Sequence, residues 1–165
     1  MHSFLVWLES TCLSTWIREE PYVYAFPAIL SLHTIGMGLV AGMNTALGLR
    51  ILGVAPRVPL MEMERFFPVM WLGFWLNAVS GVFLLIGYPT KAVTNPVFYT
   101  KLTFIAIALV VFRSIRGHVF RSPSPDAQAL SRKGRLLAGA SLACWAGAIA
   151  AGRLLAYTYH KLTSS

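Results

Sequence analysis

Between Tyr22 and Leu49 the chain reads YVYAFPAILSLHTIGMGLVAGMNTALGL, with no charged residue and one ionisable side chain, His33. A helix needs about 20 apolar residues to cross the hydrocarbon of a bilayer, so this stretch is long enough with residues to spare. An ionisable group inside such a segment is expensive to bury and marks a functional site by default. Any chemistry inside the membrane is therefore expected to start at His33.

The rest of the chain agrees with a membrane setting. Of 165 residues, 56% are hydrophobic and 12% charged, which lies outside the soluble range and predicts one compact all-α domain. The net charge of +8 does not imply nucleic acid, because the basic residues sit between apolar segments and are not interleaved with aromatics. Cys12 and Cys144 form neither a disulfide framework nor a thiolate metal spacing and read as small apolar fillers. The N-terminus lacks a basic n-region and a small-residue cleavage site, so it does not read as a cleaved signal peptide.

Residues 3–20 place Leu5, Leu8, Cys12 and Trp16 at helical spacing among Glu9, Ser10, Ser14 and Arg18. This segment is too short and too polar to span, and it predicts an amphipathic helix in the membrane interface. Four spanning helices are expected at 21–49, 67–88, 95–112 and 136–159, the first opened by Glu19, Glu20 and Pro21. The linker from Arg50 to Arg65 contains Gly53, Pro56 and Pro59, and a basic linker joins helices three and four. The expected architecture is an integral membrane four-helix bundle with an N-terminal interfacial helix.

Nine basic residues fall in the linkers after helices one and three: Arg50, Arg57, Arg65, Arg113, Arg116, Arg121, Arg132, Lys133 and Arg135. Arg18, Lys91, Lys101, Arg153 and Lys161 fall on the other side. The positive-inside rule then puts both termini outside the cytoplasm, periplasmic in a bacterial inner membrane. All six tyrosines fall near the outer helix ends, as an aromatic belt requires.

Helix four carries two small-residue rows, Gly139, Ala143, Gly147, Ala151 and Ala140, Cys144, Ala148, Gly152. Helix one carries Gly38 and Gly42, with Gly36 a turn from His33. Such faces admit a neighbouring helix backbone or a flat cofactor at close range.

Few polar groups interrupt the apolar runs. Counted from Pro21, His33 is ~18 Å along helix one, Lys101 is ~8 Å from Pro96, and Arg153 is ~9 Å from Tyr159. With Asn77 at mid-depth of helix two, a bundle could turn His33, Asn77, Lys101 and Arg153 toward one site in the outer half. His33 then either ligates a metal, most naturally haem iron with Lys101 and Arg153 pairing the propionates, or is a neutral histidine bonded to Asn77 or a backbone carbonyl. No second histidine stands at mid-membrane, so the iron would be five-coordinate, bound by Lys101 in its neutral form, or completed by another subunit. The alternative metal is copper: His33 and Met37 are one turn apart, and imidazole with thioether suits Cu(I).

The pieces WLESTCLSTWIRE, LHTIGMGLVAG, NPVFYTKL and AAGRLLAYTY, in this order and covering most of the chain, resemble an uncharacterised family of small four-helix bacterial inner-membrane proteins. The histidine in LHTIGMGLVAG and the lysine in YTKL also look like the pattern of copper-resistance protein D and of the membrane-type protoporphyrinogen oxidase of haem synthesis. In the oxidase family the matching histidine and lysine are linked with haem b, which implies His33 and Lys101 as candidates here. The chain departs from the oxidase pattern after helix one, where TALGLRILG stands in place of a Leu-Pro-Arg segment.

No other catalytic pattern is present: there is no Gly-rich phosphate loop, no HExxH, and all six carboxylates lie at helix ends or in linkers. Three function classes follow. The first is a b-haem redox protein working with a membrane redox partner or quinone, and the second is a copper-handling protein. The third is a non-catalytic subunit or assembly factor that binds partner helices or a second copy of itself.

Overall fold

The computed structural model describes residues 2–19 and 24–161. Two short helices, α1 (His2–Glu9) and α2 (Cys12–Glu19), precede α3 (Ala25–Leu52). A short α4 (Leu60–Glu64) leads into α5 (Phe67–Gly87), and a short α6 (Pro89–Val93) leads into α7 (Pro96–Ile115). A π-helical turn over Arg116–Phe120, the short α8 (Pro125–Ala129) and the long α9 (Arg132–Lys161) complete the chain. Four of these segments are long and apolar enough to cross a bilayer: Ala25–Leu52, Leu60–Gly87, Pro96–Phe120 and Arg132–Leu155. The protein is an all-α, multi-pass membrane bundle.

The expected single interfacial helix over 3–20 is two helices, and the break has a local cause. Ser10 Oγ and Thr11 Oγ1 donate to the carbonyls of Trp7 and Leu8, both at 2.7 Å. These hydroxyls draw carbonyls away from continued helix, and Thr11 Oγ1 then accepts Ser14 N–H as the cap of α2. α2 lies across the end of α5: Ser14 is fully buried, its hydroxyl bonds to Gly87 O, and Ile17 occupies the space a Gly87 side chain would need. Trp7 and Trp16 remain exposed. The expected opening of helix one at Glu19, Glu20 and Pro21 falls largely on residues outside those described.

Helices α3, α7 and α9 extend beyond their expected bounds, α9 at both ends. α3 continues to Leu52 because Gly53, at φ 95°, is the residue that can take the left-handed stop, its N–H returning to the carbonyl of Arg50. α7 passes into the π-helical turn to Phe120. α9 begins at Arg132 because Ser131 Oγ accepts the Gly134 N–H at 3.1 Å. The start of α7 is as expected, with Asn95 Oδ1 accepting Val97 N–H and Pro96 at the first helical position.

α3 packs along α5 and α7 along α9, and α3 against α9 joins the two pairs. At the end where the basic linkers lie, the bundle is filled. Phe67 meets Phe112 and Phe120 edge to face at 5.2 and 5.0 Å, above Ile51, Leu60, Ile115 and Val119, all essentially inaccessible. The linkers of this end are thus partly core. Arg50, only 6% exposed, ties them down by donating to Val58 O and to Asp126 Oδ1 at 2.6 Å. The opposite end, toward α1, α2 and the end of α9, is hollow.

Candidate functional site

The hollow is a partly open cavity of about 500 Å³ lined by five elements. α3 presents Phe26, Leu30 and His33, which follow the i, i+4, i+7 rhythm of one helix face. α5 presents Gly81, Leu84 and Leu85, Tyr88 follows just past its end at the same spacing, and α6 adds Ala92. α7 supplies Phe98 and Lys101, and α9 supplies Gly152 and Leu155. The walls are apolar and aromatic, and the polar groups that reach them are few, which is the usual make-up of a small-molecule site.

Around His33 the helices α3 and α5 are cross-linked reciprocally. His33 Nδ1 lies 3.0 Å from the backbone carbonyl of Asn77, and Asn77 Nδ2 donates to the backbone carbonyl of His33 at 2.8 Å. Each side chain thus binds the other residue's main chain. A carbonyl can only accept, so Nδ1 carries the imidazole proton. Ser80 Oγ, 3.2 Å from Nδ1, gives its own proton to Leu76 O at 2.6 Å and shares in accepting from the ring. With Nδ1 protonated, the lone pair of the neutral ring is on Nε2, and Nε2 has no hydrogen-bond partner among the described residues.

Glycines make this arrangement possible. A Cβ on Gly36 would stand 2.6 Å from Asn77 N, and one on Gly73 would stand 2.6 Å from Leu39 Cβ, so the two backbones touch just below the histidine. A Cβ on Gly81 would come within 3.1 Å of His33 Cε1, so the ring lies in the room that Gly81 leaves.

Lys101 enters from the opposite pair of helices. It is half-buried, its stem runs beside Gly152, and it has no hydrogen bond or ion pair among the described residues. It lines the same cavity as His33. Among the described residues the cavity therefore holds one imidazole with an available lone pair and one cation with no anionic partner.

Of the residues expected at the site, His33 and Lys101 line the cavity, while Asn77 braces His33 without lining it. Arg153 does not join them: it is exposed, and its neighbour Gly152 is the residue that faces the cavity. Met37 is also apart, lining a second, open groove of about 540 Å³ with Gly38, Ala41, Gly42 and Ile149. No protein-family model, curated protein or solved structure matches this chain. Among the described residues no group of three or more His, Cys, Asp or Glu side chains is placed to hold a metal ion.

Ser80 and Gly81 were not singled out by the sequence reasoning. Their signal was present, since they follow Asn77 by three and four residues and so share its helix face. The small-residue rows of α9 have separate uses. Gly147 receives the Phe104 ring, which would come within 2.9 Å of a Cβ there, whereas a Cβ on Gly152 would lie at ordinary contact distance, 3.8 Å, from the Lys101 stem.

Proposed function

We propose that this membrane protein binds b-type haem in the outer cavity, with His33 Nε2 as an iron ligand and Lys101 as the cation for a propionate. The observation that carries this reading is the divided role of the imidazole. Nδ1 is committed to a backbone carbonyl, which fixes the tautomer and orients the ring, and Nε2 is left for a ligand. The donor set fits the group: one oriented imidazole, one cation unpaired among the described residues, apolar walls, and room at Gly81 and Gly152 that a side chain would fill. Bound haem would supply one-electron redox chemistry, with a quinone or a membrane redox partner as the other party.

The chain's own residues do the rest. His33 donates from Nε2, Asn77 and Ser80 hold its ring, and Phe26, Leu30 and Phe98 exclude water. Lys101 offsets negative charge that would otherwise be costly at this depth. Arg153, exposed and off the cavity wall, has no part in this version of the site. Copper handling by His33 and Met37 is the weaker reading, because the two side chains line different cavities.

A subunit role is favoured by one observation: nothing lies within 4 Å of a Cβ built on Gly38 or Gly42, in a groove that a second helix could enter. That reading requires a co-purifying partner or a homo-oligomer, and a monodisperse monomer in mild detergent counts against it. By the distribution of basic residues, both termini face the periplasm of a bacterial inner membrane.

The haem reading is tested by an oxidised-minus-reduced visible spectrum of detergent-purified protein beside His33→Ala. A reducible b-type signal lost in the variant is expected. A colourless wild type that also takes up no haem on reconstitution overturns the reading.

A further inference from the structure

A second built feature lies at the opposite end of the molecule. Between the end of α8 and the first turn of α9, Leu130, Arg132, Arg135 and Leu136 line a groove of about 400 Å³. The two leucines are 63% and 65% exposed. Arg132 and Arg135 are exposed and make no ion pair among the described residues. Asp126 is engaged by Arg50 at 2.6 Å and Glu64 by Arg116 at 4.0 Å, and no carboxylate among the described residues lies within ion-pair distance of Arg132 or Arg135.

Depth gives the groove its meaning. The fourth spanning segment starts at Arg132, so the arginines stand where lipid headgroups begin, and Leu136 stands one turn further into the hydrocarbon. Arginine binds a phosphate through a planar fork of donors and is less strongly hydrated than lysine. A leucine on either side offers the first methylenes of an acyl chain a surface that water would otherwise wet.

We propose that Leu130, Arg132, Arg135 and Leu136 form a binding site for one anionic phospholipid, its phosphate held by the two arginines and its acyl chain laid against the leucines. A zwitterionic headgroup would bring its own cation toward the guanidinium pair and is disfavoured. The site is separate from the His33 cavity and does not depend on what that cavity binds.

The test uses full-length protein reconstituted in an equal mixture of phosphatidylglycerol and phosphatidylcholine, with retained lipid read by native mass spectrometry. Wild type is expected to keep one phosphatidylglycerol. R132Q/R135Q is expected to lose that preference by roughly 25-fold, about fivefold for each charge removed at the membrane surface. R57Q/R65Q removes the same charge elsewhere in the inner linkers and is expected to keep it, and R132K/R135K is expected to fall between. Retention by R132Q/R135Q overturns the site, and equal loss in both glutamine variants replaces it with a diffuse basic field. Displacement of the lipid by inorganic phosphate or glycerol phosphate would make it a free-anion site.

Discussion

At the scale of single residues, the outer cavity depends on what stands next to one imidazole. His33 is held by a main-chain carbonyl, and the Asn77 side chain clamps the helices from the other direction. These two hydrogen bonds should separate on mutation. Asn77→Leu removes the clamp but leaves the carbonyl that orients His33. It should cost about 1 kcal/mol, within the range measured for interhelical bonds in membranes, while ligand content stays near that of wild type. Gly81→Val should do the reverse. Its branched side chain occupies the place of the ring, where even a Cβ would be 3.1 Å from Cε1, so the cavity ligand is lost while the helices persist. Visible absorbance and far-ultraviolet circular dichroism of each purified variant check both expectations. Loss of ligand in Asn77→Leu at full helicity would show that the side chain, not the carbonyl, positions the ring.

At the scale of helices, glycine placement decides which faces meet. Gly36 and Gly73 let α3 and α5 touch at the backbone, whereas Gly38 and Gly42 have open space beside them. Gly36→Ala should therefore force the pair apart and cost about 1 to 3 kcal/mol, as overpacking does, and Gly38→Ala should be close to neutral. Unfolding midpoints in mixed detergent compare the two, and equal midpoints would refute this account of the crossing. The same pair of glycines shows what sequence could and could not reveal. Four apolar runs between breakers made the helices and their number legible, and a lone histidine in one of them pointed to the site. The inward face was not legible, because a helix among lipids is apolar on every side and hydropathy gives it no direction. Hence Gly38 and Gly42 read as a contact face while Gly36 carries the contact. Likewise, Arg153 sits at a cavity-like depth but turns outward, since depth along a helix is fixed by counting and rotation is fixed by packing.

At the scale of the whole molecule, packing is uneven in a way that matches its proposed orientation. Aromatic rings and Arg50 lock the inner end, and the outer end keeps a cavity under α6. Rigid packing far from a site keeps helix positions fixed while the site itself stays open, so the filled end can hold the walls of the hollow one in register. The orientation can be read from the protein's own cysteines. Cys12 is exposed on α2, beside the hollow end, and Cys144 is buried within α9. A membrane-impermeant maleimide added to intact spheroplasts should label Cys12 and leave Cys144 unmodified, and Cys12→Ser should abolish the signal. Labelling of Cys12 only after lysis would place α1, α2 and the cavity on the cytoplasmic side. That result would reverse the charge argument, putting the nine basic linker residues outside and the proposed lipid groove in the outer leaflet.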